Sequence, residues 1–122
     1  MKQTAKALDA FFYSFGIDSY AESEVPDDAK PPYITYELID PDWMGKAPLH
    51  ARVWYRSNNL IAISEKVDEI KAALGNGGVS IKTESGAVYL WPDDNFAQIQ
   101  PFEGDPTLKC AFLSLIIQAI TN

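Results

Sequence analysis

The stretch from Pro48 to Gly78 limits what this chain can fold into more than any other: a strongly patterned strand leads through a short turn into an amphipathic helix. In Leu49-His50-Ala51-Arg52-Val53-Trp54-Tyr55-Arg56, the residues Leu49, Ala51, Val53 and Tyr55 alternate with His50, Arg52, Trp54 and Arg56. Successive side chains on a strand point to opposite faces, so this pattern predicts a half-buried strand with one apolar and one mixed face. Ser57-Asn58-Asn59 then supplies the residue types that cap helix N-termini. Leu60, Ile63, Val67, Ile70 and Leu74 follow at alternating three- and four-residue spacings, which predicts a helix from Leu60 to Leu74 with one apolar stripe. Gly75 ends it, because glycine accepts the left-handed conformation past the last turn. Such a helix is about 22 Å long, enough to lie across several strands.

A second amphipathic helix is predicted over Gln3–Phe15, where Leu8, Phe11, Phe12 and Phe15 share a stripe and Gly16 stops it. Ile17 to Tyr20 has the makings of a short edge strand. Ser23 to Pro32 is rich in proline and charge and suits neither a helix interior nor a central strand. Tyr33–Ile39 is β-branched and aromatic, hence a strand. Asp40–Pro48 is expected as a loop; its Trp43 and Met44 either fold back on the core or form a contact patch for another chain. Beyond the Gly75–Gly78 turn, Val79–Thr83 and Ala87–Trp91 make a hairpin around Glu84-Ser85-Gly86. Pro92–Asn95 is expected as a loop, Phe96–Gln100 as a strand, and Pro101–Pro106 as another loop. Leu108–Ile120 is apolar on both faces, so a strand there needs at least partial cover on each; a helix is the alternative, disfavoured after Pro106.

With 122 residues, 47% of them hydrophobic and 22% charged, the chain suits a single domain spanning 1–122 with a substantial core. The fold class is α+β: an antiparallel sheet with two amphipathic helices packed on one face plus a β-hairpin.

Chemistry-bearing motifs are sparse. The single histidine, His50, and the single cysteine, Cys110, cannot make a Cys/His zinc site within one chain. An internal disulfide is excluded for the same reason, which fits a reducing compartment. Neither a GxxxxGK[ST] phosphate loop nor a GxGxxG occurs. The loop acids Asp27, Asp28, Asp40, Asp42, Asp93, Asp94, Glu103 and Asp105 lack EF-hand spacing and are expected as solvated turn residues. The formal charge of −7, with lysines and arginines scattered, argues against a phosphate-binding surface. No signal-peptide-like run occurs, and no stretch reaches the ~18 apolar residues that would span a bilayer. No catalytic residue, cofactor or metal is expected. Arg52, Trp54 and Arg56 share one strand face and, with Trp43 and Met44, are the candidate subunit-interface residues.

Several blocks resemble small structural proteins of long-tailed bacteriophages and prophages: Val25-Pro26-Asp27-Asp28-Ala29 with Pro32-Tyr33-Ile34-Thr35-Tyr36; Ala51-Arg52-Val53-Trp54-Tyr55-Arg56-Ser57; Phe96-Ala97-Gln98; and Glu103-Gly104-Asp105-Pro106-Thr107-Leu108-Lys109. The group is the tail-completion family, with tail terminators and tail-to-head joining proteins. The resemblance implies a small α+β domain that assembles with itself as a ring, often a hexamer. That ring would cap the tail tube, contact the head–neck connector proteins and let DNA pass without sequence-specific binding. It also implies residence in the virion after assembly in the host bacterial cytoplasm, with no cofactor and no membrane. Another minor tail or capsid-associated component is the alternative, and a small enzyme using the loop carboxylates is a more distant one.

Overall fold

The computed structural model describes residues 1–41, 45–100 and 104–121. Of the residues singled out above, Trp43 and Met44, with Asp42 and Glu103, lie outside the described residues. The chain is α+β, with α1 (Lys2–Tyr13), β1 (Asp18–Ala21), a short 3-10 turn (Glu22–Glu24), β2 (Tyr33–Tyr36), β3 (Lys46–Arg56), α2 (Ile61–Leu74), β4 (Val79–Lys82), β5 (Gly86–Gln100) and β6 (Leu108–Thr121). The strands form one curled, mostly antiparallel half-barrel in the order β1-β2-β3-β6-β5-β4.

Both helices pack on the same side of this sheet. The alternation in β3 decides which side: Leu49, Ala51 and Val53 are fully buried. The register carries that face across the sheet, pairing Ala51 with Tyr36 and Leu113, and Leu49 with Leu115. From α1, Ala7, Leu8 and Phe12 fill the same core, with Phe12 stacked on Tyr36 at 4.9 Å. From α2, Ile63, Val67, Ile70 and Leu74 do so. Phe15 is buried as well, although α1 ends at Tyr13. Lys66 ties the two helices by donating to the Phe15 carbonyl at 2.7 Å and to Glu69 at 2.8 Å.

Several boundaries differ from those expected, each for a local reason. Leu60 is 45% exposed and lies just ahead of α2, so the buried stripe begins at Ile63. Leu60 holds the N-cap position without a side-chain cap, and Asn59 before it turns the chain in, its side-chain oxygen accepting the Ile61 N–H at 3.0 Å. β2 stops at Tyr36 because the Glu37 carboxylate, in place of its carbonyl, accepts the His50 N–H at 2.8 Å. β3 begins at Lys46, so Pro48 lies inside a strand. It is tolerated because β2 has already ended and only β6 pairs there. Pro92–Asn95 is no loop between two strands. β5 runs through it on a bulge, taking five residue steps from Pro92 to Ala97 while β6 takes two from Leu115 to Leu113. β1 is an edge strand, as the sequence suggests, but pairs parallel with β2 because the Ser23–Pro32 connection carries the chain back to the same end. The β4–β5 hairpin extends the sheet at its other edge, with the Thr83 N–H donating to the Gly86 carbonyl at 2.9 Å.

Candidate functional site

The register that buries one face assigns the other, turned away from both helices. On it stand Tyr20 and Tyr33 from β1 and β2, with His50, Arg52, Trp54 and Arg56 from β3. Phe112 and Ile116 of β6 and Tyr89 and Trp91 of β5 complete it. These aromatic and aliphatic side chains are half-buried rather than covered. Thus the two-faced apolarity of β6 is met by helices on one side and by neighbouring side chains on the other.

Rings form two clusters here. Tyr33 lies between Tyr20, at 5.9 Å edge-on, and Trp54, at 6.3 Å. Tyr89 stacks on Trp91 at 5.8 Å. Between them, Phe112 carries the Arg52 guanidinium over its ring at 5.2 Å and the His50 imidazole at 5.0 Å. Trp54 donates its indole N–H to the Thr35 hydroxyl at 3.1 Å, which fixes the ring plane. Glu22, Val25, Tyr33, Thr35, Arg52 and Trp54 border a shallow groove of about 320 Å³.

Arg52 and Arg56 of β3 are held by acids remote in sequence. Arg52 pairs with Glu22 at 2.8 Å, and the His50 Nδ1 lies 3.1 Å from Glu37. Arg56 donates to Asp105 at 2.7 Å and to the Thr107 hydroxyl at 2.9 Å. Hydrogen bonds from Arg56, then from the Thr107 side chain and backbone, lower the Asp105 carboxyl to about 2. Solvent screens pairs this exposed, so they stabilise little and their role is to position side chains.

Arg52, Trp54 and Arg56 therefore do share one face, and the structure adds Phe112, Tyr89, Trp91 and Lys46, which sequence reasoning missed. The alternation Ala87-Val88-Tyr89-Leu90-Trp91 puts Tyr89 and Trp91 together, yet only the pairing with β6 shows that their face is the open one. Cys110 is buried, and desolvation pushes its thiol up, against a smaller opposing pull from Arg52, which disfavours the thiolate. Among the described residues no group of three or more His, Cys, Asp or Glu could hold a metal ion, and no helix is long and apolar enough to cross a membrane.

The largest recess, about 450 Å³, lies where α1 begins beside the β4–β5 turn. Its polar groups largely satisfy one another: the Gln3 side-chain oxygen accepts from the Ser85 N–H and hydroxyl at 3.1 and 2.9 Å, and Thr4 donates to Asp40 at 2.8 Å. The open sheet face, with its unfilled contact surface, is the stronger candidate.

No protein-family model matches the chain, and no curated protein matches it either.

Proposed function

We propose that this chain is a virion structural protein of a long-tailed bacteriophage. In this reading it is a tail terminator or head–tail joining subunit that closes into a ring on the end of the tail tube and meets the head–neck connector proteins. The observation that carries the reading is the aromatic sheet face left open opposite both helices, with Arg52 and Arg56 pinned among or beside its rings. These rings are half-buried and keep part of their surface open, and tyrosine, tryptophan and arginine supply most of the binding energy at interaction surfaces. The sequence resemblance to the tail-completion family supports the same reading independently. A charge of −7 per subunit is compatible with a ring through which DNA passes without being gripped. The reading calls for no cofactor.

The test is capping of tail tubes in an assembly extract, scored by electron microscopy. The wild-type protein caps the tubes. The double variant Arg52→Glu/Trp54→Ala, once shown to be folded by circular dichroism, loses an anchor that typically contributes about 2–4 kcal/mol. That corresponds to binding about 30- to 1,000-fold weaker. Failure of the wild-type protein to cap tubes refutes the role. Undiminished capping by the folded variant refutes the assignment of this face.

A further inference from the structure

The open face carries carboxylates at its β1 edge and lysines elsewhere, at the start of β3 and on the β4 edge. At the β1 edge, Asp18 stands on the same side as Tyr20, and Glu24, Asp27 and Asp28 are exposed in the connection that follows. Glu22 is taken up by Arg52, but none of these other four joins an ion pair among the described residues. Desolvation first, then Asp18, and further Asp28, raise the Tyr20 hydroxyl above its ordinary value.

The lysines supply the complementary chemistry. Lys46 stands in one row with Gln118 and Tyr89, beside a row of Pro48, Ile116 and Trp91. The Lys46 ammonium sits 5.4 Å from the centroid of the Trp91 ring, which restrains a side chain that would otherwise lose much freedom on binding. Lys82 extends the same face on β4. Both lysines are exposed, and neither joins an ion pair among the described residues. These rows hold no acidic residue.

Closed rings are built from head-to-tail contacts, which need two different and mutually complementary surfaces on every subunit. A face acidic at its β1 edge and cationic and aromatic where the start of β3 meets β5 and β4 meets that requirement. We propose that the acidic β1 edge of one copy, Asp18 with Glu24, Asp27 and Asp28, docks on the Lys46, Lys82 and Trp91 patch of the next copy. This inference rests on the ring reading above and adds which surfaces form the seam.

Two charge-reversed proteins test it. Glu24→Lys/Asp27→Lys/Asp28→Lys makes the first patch basic, and Lys46→Glu/Lys82→Glu makes the second acidic. All five positions are exposed and outside the core, so both proteins fold, as circular dichroism and melting will verify. In sedimentation velocity over a concentration series, the wild-type protein assembles. Each variant alone stays monomeric, because its two patches then carry like charge. An equimolar mixture of the two variants assembles again, because alternating copies match at every junction. Assembly of either variant alone to the wild-type extent overturns the seam and leaves the ring reading standing. So does a mixture that stays monomeric while the wild type assembles. A wild-type protein that stays monomeric at every concentration, with the mixture doing the same, overturns the seam together with self-association.

Discussion

Replacing Gly78 by alanine tests how the β4–β5 hairpin supports the open face. Gly78 has φ +78, a conformation that L-residues adopt at an energy of roughly 1–2 kcal/mol. An added Cβ would also run into the Leu90 carbonyl oxygen and lie 2.6 Å from the Cδ1 of Trp91. A backbone oxygen held in a ladder cannot move aside cheaply, and forcing extra atoms into packed surroundings costs about 1–3 kcal/mol. Together the two effects destabilise by about 2–5 kcal/mol. At about 2.1 cal/mol/K of unfolding entropy per residue, this chain loses about 8–19 °C in Tm. Gly77→Ala is the control: nothing lies within 4 Å of its added Cβ and its φ is ordinary, so it is neutral or stabilises by about 0.4–1 kcal/mol. The assay is thermal unfolding followed by circular dichroism, with tryptophan fluorescence reporting on Trp91. Equal melting temperatures for the two variants would refute the close approach of this turn to β5.

The two helices yield a paired test. Ile63→Ala destabilises by about 2–5 kcal/mol, whereas Leu60→Ala, outside the stripe, stays within about 0.5 kcal/mol in urea unfolding. Phe12→Ala removes a fully buried ring stacked on Tyr36 and loses about 3–5 kcal/mol by the same measurement. Asp105 gives a pH dependence of known sign. Its folded pKa, about 2, is below the ordinary 3.8, so its contribution to stability is present above about pH 4 and is lost as pH falls towards 2. Melting curves of Asp105→Asn between pH 5 and 2 therefore show a shallower fall than the wild type.

What could be foreseen from sequence follows the range of the forces involved. The stripe of α2 and the alternation of β3 are local patterns, and both place their buried residues as they stand in the core. The misplaced boundaries depend on partners remote in sequence. Pro92–Asn95 resembles a turn until β6 is laid beside it, and β1 can be seen as parallel only once the path of Ser23–Pro32 is known. The open face divides in the same way. Arg52, Trp54 and Arg56 are grouped by their own strand. The acids that hold the arginines come from 30 and 49 residues away, and the Lys46–Trp91 contact joins two strands that never pair with each other. No window of sequence contains those relations.

β3 accounts for how an acidic chain can present a nearly uncharged middle to a partner. Its inward residues Leu49, Ala51 and Val53 anchor the core, while His50, Arg52 and Arg56 on its outward side each meet a carboxylate from another part of the chain. Arg52 holds Glu22, His50 meets Glu37, and Arg56 holds Asp105. The Glu22 and Asp105 carboxylates, which would otherwise repel another acidic surface, are thereby matched where they reach the sheet. The excess negative charge is left to the bulge and the β1 edge, whereas across the two helices Lys2, Lys6, Lys66 and Lys71 balance Asp9, Glu65, Asp68 and Glu69. Rings occupy the centre of this face, where dehydration is favourable. Under the proposed seam, carboxylates at the β1 edge and lysines on β3 and β4 would favour a directional contact over indiscriminate stacking.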